Sequence, residues 1–133
     1  PFHHLGQTLM VAAIANDADA RLLPDVYHLF RGGSGFDGLK MLHGRLIEIF
    51  HLNDFPGDIP RENQEDKDRV YPGDGIAPMA QIIKDLHAMG GPKVLSLEVF
   101  NPGYWKEEPL HVARTGLKKM KEQVEQALGS APV

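Results

Sequence analysis

The stretch "LIEIFHLNDFP", residues 46–56, decides how the rest of this chain is read. Leu46-Ile47-Glu48-Ile49-Phe50 is rich in branched and aromatic residues and reads as a β-strand. The run finishes on His51, and Asn53 and Asp54 follow just where the chain leaves the core for the turn residues "PGDIP". Such a polar cluster either ends a strand or faces a ligand, and the flanking segments discriminate between the two.

Composition narrows the field. With 133 residues and 42% hydrophobic content the chain can bury one core. No apolar run approaches the roughly 18 residues of a membrane span, and no basic, apolar leader opens the sequence. The absence of cysteine excludes disulfides and thiolate metal sites, leaving His, Asp and Glu as metal donors. These features suit a cytoplasmic protein. A formal charge of −4 argues against a nucleic-acid backbone as the main partner. Lys118, Lys119 and Lys121 read as a solvated helix face.

Outward from the central strand, helices and strands alternate. Residues 7–16 suit a helix ended by Asn16 and Asp17. "RLLPDVYH" suits a short strand ending near Tyr27, followed by the turn "RGGSG" and a short helix over 37–43. Residues 76–89 place Ile76, Met79, Ile83 and Leu86 at helical spacing before Gly90-Gly91. "KVLSLEVF" is a third strand. Over 109–128, Leu110, Ala113, Leu117, Met120, Val124 and Leu128 form one stripe between Pro109 and Gly129. No repeat or linker divides the chain, so one domain is expected. Strands alternating with helices imply βα units and a parallel sheet.

Parallel strands are buried on both faces, so polar residues inside them need a reason. Each strand carries one near its carboxyl end: Asp25, His51 and Glu98. That end is where α/β folds bind ligands. The separations, 26 positions and then 47, correspond to one βα unit and to one unit plus the long loop 53–75. Structureless loops of that length are functional or mobile, so this one is expected to lie over the site. Asp25 could simply terminate its strand and His51 could be a hydrogen-bonded core residue. A carboxylate between Leu97 and Val99 must be paired or bound to a cation. Together the three form an oxygen and nitrogen donor set suited to Mn, Mg, Co or Zn. "RGGSG" could cradle a phosphate but lacks the spacing of known phosphate loops, and a plain turn is the simpler reading. Tyr104 and Trp105 could wall a sugar pocket or cover the rim.

"LLPDVYHLFRGGS", "IEIFHLNDFP", "DRVYPGDGI" and "VLSLEVFNPGYW" resemble successive segments of the xylose-isomerase-like (β/α)8 barrels, the sugar phosphate isomerase/epimerase superfamily. The likeness runs from about residue 5 to 128. It implies an α/β fold that is the carboxyl-terminal half of a TIM barrel: the sixth to eighth parallel strands, with outer helices, in a single partial domain over 1–133. By this resemblance Asp25, His51 and Glu98 are three of four metal ligands, and His28 and Arg69 contact substrate. The implied activity is isomerisation or epimerisation of a ketose, sugar phosphate or keto-polyol. Proton transfer would pass through an enediolate beside a divalent metal, with Glu98 as both ligand and base.

Two features qualify the expectation. A full barrel takes about 250 residues, and the family's fourth ligand, a glutamate on the fifth strand, has no counterpart before Glu48. With the abrupt start at "PFHHLGQ", this favours one half of a longer protein. Such a half is expected to associate, with its amino-terminal part or with another copy as a homo-oligomer. Alternatives within the same barrel are an inosose-type dehydratase, an apurinic endonuclease and a non-catalytic barrel. The endonucleases carry an Asp-x-His pair where this chain has Asp68-Arg69-Val70.

Overall fold

The computed structural model describes residues 3–129. Two parallel strands, β1 (Ile49–His51) and β2 (Val94–Ser96), pair in the register Ile49↔Val94, Phe50↔Leu95, His51↔Ser96. A third extended segment lies on the other side of β1, joined by the parallel bridges Leu22↔Ile47 and Asp25↔His51. Its backbone contributes Leu22 N–H to Leu46 O (2.7 Å) and Pro24 O to His51 N–H (2.9 Å). The three carboxyl ends therefore lie side by side with β1 in the middle. The chain returns between them through helices, as a parallel βα fold requires.

Among the described residues four α-helices accompany this sheet: α1 (Leu5–Ala15), α2 (Val26–Arg31), α3 (Met79–Ala88) and α4 (Pro109–Leu128). The first expected strand stops earlier than its residues suggested. It ends at Asp25, because that side chain caps α2 by accepting the His28 N–H at 3.0 Å, and Val26 and Tyr27 are already helical. The segment at 37–43 is a short 3₁₀ turn, Asp37–Met41. α1 ends at Asn16 in the left-handed conformation (φ 52°), which Asn tolerates. Gly90 and Gly91, at φ 77° and 78°, stop the chain after α3.

The helix-facing side of the sheet is dry. Ile47, Phe50 and Leu52 are fully buried and pack with Val26, Leu39, Ile82, Ile83 and Leu86. α4 packs on α3, but its inner face is rotated from the expected stripe. Gly116 and Ala127 are buried and Met120 and Val124 partly so, whereas Leu110 and Leu117 are half exposed. The reason is the Gly116 notch: a Cβ there would lie 2.2 Å from Leu97 Cδ2, so the helix turns its smallest residue to the sheet. α3 begins at Met79 after Pro78, leaving Ile76 outside the helix and exposed; Ile82 takes its place in the buried face.

The 53–75 loop is ordered, contrary to the expectation of a structureless insertion. It contains the 3₁₀ turns Arg61–Asn63 and Asp66–Asp68. Buried Gln64 donates from Nε2 to Pro56 O (2.8 Å) and Ile59 O (2.9 Å). At its root, the 1%-exposed Asp54 carboxylate accepts the N–H groups of Phe55, Gly73, Gly75 and Ala77 at 2.8–3.1 Å. Burial lifts the Asp54 carboxyl above its ordinary range although these four donors pull the other way.

Candidate metal centre

Asp25 does two jobs with its two oxygens. Oδ1 caps α2, and Oδ2 turns to the sheet end, where Asn53 Nδ2 donates to it at 2.8 Å. The Asp-x-x-His spacing follows from this: the residue whose N–H meets the cap is the third helical one, His28. Asn53, fully buried, links all three extended segments. Its Oδ1 accepts the Tyr27 N–H (2.9 Å), and its Nδ2 also reaches the Glu98 carbonyl (3.1 Å).

His51 Nδ1 sits 3.4 Å from Asp25 Oδ2 and 3.3 Å from Glu98 Oε2. One donor atom from each of Asp25, His51 and Glu98 lies within 4.8 Å of the others. Ligand bonds of roughly 2.0–2.3 Å would span this group with side-chain adjustment. Two carboxylates and an imidazole with little water around Asp25 are also the donor chemistry a hard or borderline cation takes. The residues present fit a divalent metal.

Arg69 closes the site from the long loop, and its guanidinium points inward. Nη1 donates to Glu98 Oε2 (2.7 Å) and lies 3.6 Å from Asp25 Oδ2. Nη2 donates to Asp66 Oδ1 (2.6 Å) and to His28 Nε2 (2.9 Å). A guanidinium only donates, so His28 is a neutral acceptor here. Burial, reinforced by the Arg69 charge, lowers its pKa below the ordinary histidine value. For Arg69, burial works against protonation, but Asp25 and the bonds to Glu98 and Asp66 outweigh it and raise its pKa. The guanidinium lies against the rings of Tyr27 (4.9 Å) and Phe100 (5.1 Å).

Asp25, His51, Glu98, His28 and Arg69 thus occupy one cluster. Asn53 and Asp66 belong to it as well, and no periodicity singled them out; the strand-end position of Asn53 was the available signal. Asp54 faces the loop instead of the cluster, and Arg61 is exposed beside the Gly33 turn. "RGGSG" is a turn: the N–H groups of Gly32, Gly33 and Ser34 already bond the carbonyls of His28, Phe30 and Leu29, leaving no phosphate cradle. Tyr104 stacks on Tyr71 at 4.1 Å, and Trp105 is exposed. Asp68 caps a turn through the Glu65 N–H, and Val70 pairs with Asp54. An endonuclease-like second metal pair is therefore not assembled there.

Comparison with known proteins adds an independent line. The family described as xylose isomerase-like TIM barrel matches residues 3–123. A protein named inosose isomerase from Bacillus subtilis (strain 168) is 32% identical over 111 residues, which is 81% of this chain and 40% of that relative. A protein of the same name from Halalkalibacterium halodurans is 31% identical over 108 residues, 79% of this chain and 38% of the relative. Among solved structures, the IolI protein with a bound zinc atom matches with TM-score 0.87 and 28% identity, over 95% of this chain and 45% of that one. A xylose isomerase domain protein from Alicyclobacillus acidocaldarius gives TM-score 0.80 at 22% identity, a likeness of fold alone, over 92% and 43%. The chain spans less than half the length of these relatives.

Proposed function

Since the chain belongs to the xylose isomerase-like TIM barrel family, we propose that the protein carrying it is a divalent-metal-dependent isomerase or epimerase of a small keto-polyol or ketose, with an inosose-type substrate favoured. The convergence of Asp25, His51 and Glu98 beneath Arg69 carries the reading. The names of the inosose isomerases and the zinc in the IolI structure support it.

A divalent cation held by Asp25, His51 and Glu98 would supply Lewis acidity that polarises a carbonyl and acidifies the neighbouring C–H bond. The chain's own residues do the rest. Asp25 is fixed by Asn53 and its helix cap, so it orients and does not move protons. Glu98 is the most open of the three, with a side chain 36% exposed, and takes the proton from the carbon beside the carbonyl before returning one to the adjacent carbon or face. Arg69, 1% exposed and bonded to Glu98 and Asp66, can turn its planar fork to paired substrate oxygens only as one of those bonds yields, and neutral His28 steadies it. The partners assigned are a small sugar or polyol and, through the exposed apolar faces, another copy of the chain.

The test uses the full-length protein with an inosose in D2O, followed by NMR. Deuterium should enter the carbon next to the carbonyl, stop on chelation, and stop in Glu98→Gln. No incorporation with any divalent metal would remove the isomerase and epimerase readings together.

A further inference from the structure

The two oxygens that face His51 Nδ1, Asp25 Oδ2 and Glu98 Oε2, are also the two that face Arg69 Nη1, at 3.6 and 2.7 Å. A cation coordinated by these carboxylates and the guanidinium therefore draw on the same negative charge. We propose that Arg69 is a built-in counter-cation that competes with the divalent metal, holding the carboxylates together without it and keeping the metal exchangeable. This rests on the reading of Asp25, His51 and Glu98 as a metal centre.

Three observations make the competition unavoidable. The Arg69 side chain is 1% exposed, so it has no route into water. The rings of Tyr27 and Phe100 and the Asn101 Nδ2 bond to its carbonyl (3.1 Å) fix it in place. Its remaining anchors are the neutral His28 Nε2 at 2.9 Å and Asp66 Oδ1 at 2.6 Å, the latter on a side chain 59% exposed at the outer edge. The guanidinium is thus shared between an inner pair of carboxylates and one outer carboxylate. A buried carboxylate such as Asp25 left without a positive partner is costly, and Arg69 supplies that partner. A fixed positive charge near a divalent ion then weakens that ion's binding.

The predictions run opposite to those of a supporting role. Removing a mere packing or positioning residue would loosen the metal. Here Arg69→Gln, shorter by two bonds, polar and uncharged, should tighten Mn²⁺ binding by roughly tenfold or more, because the Coulomb repulsion is gone. Arg69→Lys, which keeps the charge, should stay near wild type. Asp66→Asn should weaken Mn²⁺ binding several-fold, since the guanidinium then leans wholly on Glu98 and Asp25. The measurement is calorimetric titration of the full-length, metal-stripped protein with Mn²⁺ alone, at fixed ionic strength, with thermal melts confirming folding. A folded Arg69→Gln variant that binds Mn²⁺ equally or more weakly overturns the proposal. If that variant does not fold, unchanged affinity in Asp66→Asn overturns it. Wild-type protein that takes up no divalent metal overturns the metal centre itself, and the inference with it.

Discussion

At the scale of single residues, the site depends on side chains whose separate atoms serve separate ends. Asp25 caps a helix with one oxygen and faces His51 in the candidate metal centre with the other. Asparagine can still cap, but its amide nitrogen would then face the Asn53 Nδ2 donor, so Asp25→Asn should cost about 1–3 kcal/mol while metal titration shows uptake lost. Asp25→Ala should lose uptake and also cost about 1–2 kcal/mol of stability in denaturant unfolding, because the His28 N–H loses its acceptor. Asn53→Leu strands the buried Tyr27 N–H and should cost about 1–3 kcal/mol in the same measurement. Asp25, His51 and Glu98 were legible in the sequence because a polar residue near the end of an apolar run is an anomaly, although the third strand stops at Ser96 and Glu98 lies two residues past it, half-buried. Asp66 was not legible, since an exposed acid in a charged loop looks like any solvated residue until the fold brings Arg69 to it.

Among the elements, the long loop is the most informative. Its composition suggested mobility, and what orders it is a network no local pattern displays: one carboxylate binding four amides across more than twenty positions. Those amides have a common anchor, so in hydrogen exchange Gly73, Gly75 and Ala77 should open together, and Asp54→Ala should raise all three rates at once. Independent rates would mean that the loop is held elsewhere. Helix ends were readable for chemical reasons: Pro109 and Gly129 bracket α4, and Gly90-Gly91 follow α3. Which face of α4 turns inward was not, because leucines at helical spacing mark two apolar sides and only the Leu97 contact at Gly116 chooses between them. The approach of Gly44 to Gly90 was equally hidden. A Cβ on Gly44 would lie 1.8 Å from the Gly90 carbonyl oxygen, so Gly44→Ala should cost about 1–3 kcal/mol or more by thermal unfolding.

The whole molecule presents two kinds of exposed apolar surface. Met10, Val11 and Ile14 on α1 and Leu110 and Leu117 on α4 face outward. Leu23, Ile49 and Val94 line the side of the sheet away from the helices. Contiguous apolar surface in water drives association. Residues 1–133 expressed by themselves should therefore sediment as more than a monomer, and Ile14→Glu with Leu117→Glu should shift the distribution downward. The parallel βα pattern was readable from alternating segments and the chain's place in a barrel from the family resemblance, whereas these faces acquire meaning only once the sheet is seen side-on. The second group has a consequence for chemistry. Leu23, Ile49 and Val94 sit two residues before Asp25, His51 and Ser96, so on the pleat they form the layer directly beneath the polar strand ends. In a closed barrel that layer is a packed hydrocarbon floor. If the site runs the proposed proton transfer, such a floor would keep water from Glu98 on that side, and its proton would trade with solvent on the side of the long loop.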